Sequence, residues 1–218
     1  MRELVVNTFL TLDGVMQAPG GPDEDLSGGF AHGGWSVNYW DVVMEETMGK
    51  AMSPPFDLLL GRKTYEIFAA HWPHVDEPGA DVLNNATKHV ASRTLGTLEW
   101  SNSHLLEDEV AVAVPRLKEE EGPELQVHGS ADLIQTLLAH DLIDEFRLWT
   151  FPVVVGPGKR LFGDRTQAGA LELVDSKTSS TGVTMATYRR AGEIETGSFA
   201  LEEPTEAEIK RRQSIKGS

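Results

Sequence analysis

Cysteine is absent from the chain. Neither a disulfide framework nor a thiolate site is therefore available, and a soft metal held by protein alone is disfavoured. Basic residues are in the minority: 19 Lys and Arg stand against 34 Asp and Glu, a formal charge of −15. That balance speaks against nucleic acid and anionic membrane as partners, while leaving room for a local basic pocket around a small anion. No apolar run reaches membrane-spanning length, and the opening MRELVVNTFLTLDG is too short and too polar for a signal peptide. A cytoplasmic protein with a small-molecule ligand is expected. A GxxxxGK[ST] loop and a GxGxxG fingerprint are also missing, which excludes a P-loop protein and an ordinary Rossmann dehydrogenase.

The chain does hold alternating periods of 3.6 and 2.0 residues, which predict an α/β fold with an antiparallel edge. At 218 residues, one decorated domain is expected. Strands are predicted over 3–11, 56–60, 88–91, 125–127 and 146–151, with a weak one in 98–106. Helices are predicted over 38–52 (stopped by Pro54-Pro55), after Gly61, over 81–86 and 107–121, and after Ser130. Residues 171–177 and 183–188 read as a hairpin closed by Ser179-Ser180-Thr181-Gly182. The tail over 191–218 is charged, and Thr205 with Glu208 makes a capping-box signature for one short helix. Residues 17–36 are so rich in glycine and proline that no regular element is expected there. So long a loop is either a lid over a site or a mobile surface excursion.

Function is carried by three junctions at which a strand runs into polar residues. Gly61-Arg62-Lys63-Thr64 follows the second strand, Ser92-Arg93-Thr94 the third, and His128-Gly129-Ser130 the strand at 125–127. Ligands of α/β sheets sit at the carboxyl ends of strands. Gly129 permits a tight turn, and Ser130 is an N-cap candidate for a helix whose free N–H groups suit a phosphate. Arg62 and Lys63 stand where cations oppose the helix dipole, which favours a ligand over a merely solvated pair. Three such ends facing one crevice suit a multi-phosphate ligand: the cationic ends the 2′-phosphate of NADPH, the Ser130 helix its pyrophosphate. Asp13 is the first candidate for orienting substrate or relaying a proton, with His32, His71 and His128 as further donors. Trp35 and Trp40 are candidates to wall a planar ligand.

In order, Thr11-Leu12-Asp13-Gly14, Gly61-Arg62-Lys63-Thr64-Tyr65-Glu66, Ser92-Arg93-Thr94-Leu95, Gly129-Ser130-Ala131-Asp132-Leu133 and Pro152-Val153-Val154-Val155-Gly156 resemble the dihydrofolate reductase-like superfamily. The nearest branch is the reductase domain of riboflavin-biosynthesis deaminase/reductases and its stand-alone relatives. The resemblance covers 1–190 and implies a mixed sheet flanked by helices on both faces, NADPH as cofactor and a homodimer. It implies that Gly61, Arg62, Lys63 and Thr64 lie by the adenosine phosphates, and that Ser92 and Arg93 face the 2′-phosphate. His128, Gly129, Ser130, Ala131 and Leu133 would wrap the pyrophosphate, with Pro152 and Gly156 near the nicotinamide or the crevice floor. Gly14, Trp35 and Trp40 would then border substrate. The deaminase domain is absent, and the acid that holds the pterin in folate reductases has only Asp41, Glu45 and Glu46 as counterparts. The activity implied is hydride transfer to a C=N or C=O group of a small heterocyclic, pterin-like or ribosylaminopyrimidine-like substrate. The alternative is a catalytically silent NADPH- or flavin-binding module acting as sensor or scaffold.

Overall fold

The computed structural model describes residues 1–53, 55–77, 79–163, 166–200 and 202–215. Among these, the strands are β1 (Leu4–Thr11), β2 (Phe56–Gly61), β3 (Lys88–Ala91), β4 (Ser103–Leu105), β5 (Glu124–Val127), β6 (Glu145–Phe151), β7 (Leu171–Thr178) and β8 (Thr184–Arg190). The helices are α1 (Val42–Ala51), α2 (Arg62–His71), α3 (Ala80–Asn85), α4 (Val110–Glu119), α5 (Ala131–Ala139) and α6 (Glu206–Ile215). The strands form one mixed sheet of order β4-β3-β2-β5-β1-β6-β8-β7. Pairing is parallel from β4 through β6, and β8 then runs antiparallel to both β6 and β7.

The parallel strands are apolar because both their faces are covered. In β2, Leu59 packs with α4 and α5 through Val114, Leu133 and Leu137, while Leu58 and Leu60 join Tyr65, Leu83 and Trp100 on the other face. In β1, Leu4, Val6 and Leu10 face the α4/α5 side, and Phe9 packs against the cluster of Trp35, Met44, Trp149 and Phe151. The hairpin forms as expected, yet every residue of β7 is exposed, as befits an edge strand with a single neighbour.

Three local expectations are corrected. The helix predicted from residue 38 begins at Val42, because Asp41 caps it by accepting from Met44 N–H at 2.9 Å. It ends at Ala51, and Pro54, one of its expected stops, lies outside the described residues. In the tail, Thr205 accepts from Glu208 N–H at 3.3 Å, but Glu208 turns its carboxylate to Arg211 and Arg212, so half of the capping box forms. The glycine-rich segment is no loose excursion. It contains a short 3-10 turn at Ser27–Gly29 and buries Phe30 and Trp35. Its limbs are tied by Trp35 Nε1 to Gln17 O at 2.8 Å and by Gln17 Nε2 to the carbonyls of Asp25 and Ser27 at 3.0 and 2.8 Å.

Lys88, at the start of β3, is wholly buried. Its ammonium donates to the carbonyls of Asn84 and Ser101 at 2.6 and 3.0 Å and lies 4.2 Å from the Trp100 ring centre. Among the described residues no carboxylate pairs with it, and burial brings its pKa down to about 8. An unfolded lysine titrates near pH 10.4, so between these values the unfolded chain binds the extra proton and stability rises with pH. Denaturant unfolding at pH 8 and pH 10 is expected to show wild type gaining stability relative to Lys88→Met over that interval. Parallel pH dependences in the two proteins would contradict this account.

Candidate functional site

The sheet order sets β3, β2 and β5 side by side and parallel, so their carboxyl ends open on the same rim. Along that rim lies one open cleft of about 2190 Å³. Gly61 to Thr64, Ser92 and Arg93, and His128 to Ala131 with Leu133 all line it. The three junctions read from the sequence therefore meet at one place.

Ser130 holds them together. It stands at the N-cap position of α5 with φ 70° and ψ 77°, and makes no side-chain capping bond. The expected capping role is corrected: its hydroxyl reaches across to the neighbouring junction. Oγ accepts from Gly61 N–H at 2.9 Å and donates to Thr64 Oγ1 at 2.6 Å. A Cβ on Gly61 would lie 2.9 Å from both Cβ and Oγ of Ser130, so only glycine admits this approach. Gly129, at φ +104°, makes the turn that delivers Ser130. Consequently α2 and α5 start beside one another, neither closed by a capping side chain. Their first N–H groups and the positive ends of their dipoles thus lie side by side, an arrangement that favours an anion.

The cations of the rim divide into two kinds. Arg93 is exposed and makes no hydrogen bond or ion pair among the described residues. Arg62 bonds, among the described residues, only Thr94 Oγ1, at 3.2 Å. The Ser92 hydroxyl shapes the turn by accepting from the N–H groups of Thr94 and Leu95 at 3.2 and 3.0 Å. Lys63, in contrast, leans toward the glycine-rich loop, 3.4 Å from Ser27 Oγ and 3.7 Å from Asp25 Oδ1. Asp25 also bonds Lys159, which lines the cleft, and accepts from Ser27 Oγ at 2.6 Å. Burial pushes the Asp25 carboxyl up, but the bonds from Lys159 and Ser27 outweigh it and bring the pKa down to about 2.

His128 is fixed by its neighbours. Arg147 grips Glu124 with two bonds of 2.8 and 3.0 Å, and Glu124 accepts from the Gln126 amide. The Gln126 carbonyl is thereby turned to His128 Nε2 at 2.7 Å. Nε2 must then carry the proton, which leaves Nδ1 as an acceptor. Burial first, and then the Arg147 charge, take the His128 pKa down to about 4 against the pull of Glu124. Its expected use as a proton donor is thus corrected: at neutral pH it is a neutral acceptor.

Other candidates lie elsewhere. Asp13 does not line the cleft. Its carboxylate accepts from Thr11 Oγ1 at 2.6 Å and from the N–H groups of Gly156 and Val155 at 2.9 and 3.3 Å. The Thr11 hydroxyl, against burial and aided by those two amides, holds its pKa below the usual carboxylate range. Asp13, Gly14 and Gly156 thus tie the end of β1 to the turn after β6, and Pro152 lines a separate small hollow with Leu12 and Thr184. Trp35 is buried behind Phe151, and His32 packs edge-on to Phe30. His71 stays on the cleft, 3.7 Å from Glu77. Trp40 does line it, stacked on Trp149 with centroids 5.8 Å apart at 19°.

Sequence reading passed over Asn7, Phe9 and Trp149, which line the same cleft from β1 and β6. Asn7 Nδ2 is buried with no hydrogen-bond partner. The signal was there: an amide inside the apolar run LVVNTFL needs a partner or a use. Of the three α1-region acids, Asp41 accepts from Met44 N–H and from Ser180 N–H and Oγ, and only Glu45 lines the cleft.

Because Asp25 titrates lower folded than unfolded, its stabilisation is fully present above about pH 4 and disappears as pH falls toward 2. Asp25→Asn is expected to remove that part of the acid limb and to speed amide exchange across residues 24–31 at pH 7. Unchanged exchange in the variant would show that the loop is held by other means.

Residues 2–185 match the family model of the RibD C-terminal domain. A relative in Bacillus subtilis (strain 168), the uncharacterised protein YyaP, is 27% identical over 196 residues, covering 88% of this chain and 96% of that one. A putative riboflavin biosynthesis protein from Shewanella sp. PV-4 superposes with TM-score 0.62 at 20% identity, covering 87% of this chain and 99% of that one. Dihydrofolate reductase from Enterococcus faecalis, solved with NADP(H), gives 0.55 at 16% identity over 86% and 96%. The fold is thus dihydrofolate reductase-like, and the chain belongs to the RibD C-terminal domain family.

Proposed function

We propose that the protein is an NADPH-dependent reductase of a small heterocycle. The observation that carries this reading is the pairing of two uncapped helix starts, pinned by Ser130, with the unneutralised guanidinium groups of Arg62 and Arg93 in one cleft. The site fits the cofactor by its shape as well as its charge. Gly61 and Gly129 keep backbone open where a Cβ would crowd Ser130 or demand a strained turn. Arg62, Arg93 and Ser92 would hold the 2′-phosphate; Thr64, Gly129, Ala131 and Leu133 would surround the pyrophosphate. His128 Nδ1 would accept from an amide or ring N–H. The Enterococcus reductase of the same fold binds NADP(H), which supports the assignment.

When bound, the reduced nicotinamide supplies a hydride to a C=N or C=O carbon. The chain orients the reactants and narrows the access of water. Lys63 and Lys159, both on Asp25, keep the glycine-rich loop along the cleft wall. A second reading is cofactor binding without turnover. It is favoured by the positions of the expected donors: Asp13 lies off the cleft and His128 is neutral, which leaves only His71 of the expected donors on the cleft.

Calorimetry tests the cofactor. Wild type is expected to bind NADPH at least about tenfold more tightly than NADH, since a guanidinium–phosphate bond contributes about 1.5–3 kcal/mol. Arg93→Ala is expected to remove that preference while leaving NADH affinity unchanged. Equal binding of the two cofactors by wild type, or an unaltered NADPH affinity in the variant, would overturn the proposal. Oxidation of NADPH by any heterocycle would decide against the silent module.

A further inference from the structure

The cleft is chemically polarised. Its free cations, Arg62 and Arg93, follow β2 and β3. Aromatic rings line it at two places: Phe68 and Trp72 at the end of α2, and, at the other end, Phe9, Trp40 and Trp149 from β1, β6 and the approach to α1. Adjacent strands stand about 4.8 Å apart, so the two ends are separated by about 10 Å between β2 and β1 and by roughly 19 Å between β3 and β6, beyond the Debye length of about 8 Å. At the aromatic end Trp40 and Trp149 lie nearly parallel at 5.8 Å, and Phe9 packs on Trp149 at 5.3 Å. Trp40 remains 44% exposed, so one indole face is open to a flat ligand.

The polar groups at this end set the ligand's charge. Asn7 brings a buried amide without a hydrogen-bond partner. Glu45, in the first turn of α1, is exposed on the cleft and bonds no cation among the described residues. Among the described residues that border this end, two cations are already neutralised. Arg147, opposite Asn7 in the sheet, is held by Glu124 and Glu145, and Lys159 is held by Asp25. A phosphate brought here would meet Glu45, and the described lining residues that carry a free cation, Arg62 and Arg93, follow β2 and β3 at the other end.

We infer that the substrate end accepts a planar heterocycle without a phosphate group, one that offers hydrogen-bond donors or positive charge to Glu45 and an acceptor to Asn7. This rests on the reductase reading for the other end of the cleft, and it parts from the phosphorylated ribosylaminopyrimidines among the substrates considered above. The non-phosphorylated heterocycle stacks on Trp40, and a phosphate ester of the same ring is rejected by the Glu45 carboxylate.

The test is calorimetric titration of the full-length protein, first with NADP⁺, then, with and without saturating NADP⁺, with matched pairs differing only in phosphate. Riboflavin with riboflavin 5′-phosphate, and a diaminopyrimidine nucleoside with its 5′-phosphate, serve as pairs, with free pterin alongside. The oxidised cofactor prevents turnover, so affinity is read alone. At least one unphosphorylated ring is expected to bind, with its ester weaker by at least about tenfold. Glu45→Gln is expected to narrow that ratio, and Trp40→Ala to weaken the ring at least about tenfold while NADP⁺ affinity holds. An ester that binds as tightly as its parent, or binding by none of the rings, overturns the inference. Failure of the NADP⁺ titration counts instead against the reductase reading, so the two failures are told apart.

Discussion

One hydroxyl organises the candidate site. Ser130 sits in a left-handed turn at the end of β5 and closes two hydrogen bonds onto the start of α2, to Gly61 N–H and Thr64 Oγ1. These bonds join segments far apart in sequence and hold two helix starts in fixed relation. The helix that loses its cap keeps open the N–H groups that Ser130 would otherwise have satisfied, which favours an anion there. The same closeness explains why Gly61 tolerates no side chain.

An acidic protein can still grip an anion when its cations are distributed unequally. Most basic groups here are neutralised in place: Arg147 by Glu124 and Glu145, Lys118 by Asp144, Lys159 by Asp25. Arg93 and Arg62 are not, and they stand beside the paired helix starts. Local field therefore opposes net charge at this one rim. His128 adds no positive charge, since burial and the Arg147 guanidinium keep it neutral, and it presents an acceptor instead. The glycine-rich loop along the cleft is held by ion pairs through Asp25 and by hydrogen bonds of Gln17, not by regular structure.

What could be read beforehand follows the range of the interactions. The parallel strands announced themselves as short, mainly apolar runs bounded by turn residues, and the strand–polar junctions at Gly61, Ser92 and His128 were local patterns with a shared location at strand ends. The aromatic end of the cleft was not legible in full. Trp149 and Phe9 looked like core, and nothing short of the β1–β6 register shows that they stand opposite one another. Ser130 escapes a local reading for the same reason: its sequence context describes an N-cap, whereas its partner stands at the end of the adjacent strand β2. Asp13 was overvalued because an acid before a glycine resembles a catalytic turn as readily as the backbone clamp it forms with Val155 and Gly156. Glu45 was distinguishable from Asp41 and Glu46 only once Asp41 was seen to cap α1 and bind Ser180.

The central claim is that the rim of β3, β2 and β5 is built for a dinucleotide bearing a 2′-phosphate. A crystal structure of the protein grown with NADP⁺ examines it most directly. The account predicts the 2′-phosphate between Arg62 and Arg93 and the pyrophosphate against the starts of α2 and α5, with the Ser130–Gly61 bond intact. A cofactor lying elsewhere, or one that leaves both arginines untouched, would contradict it.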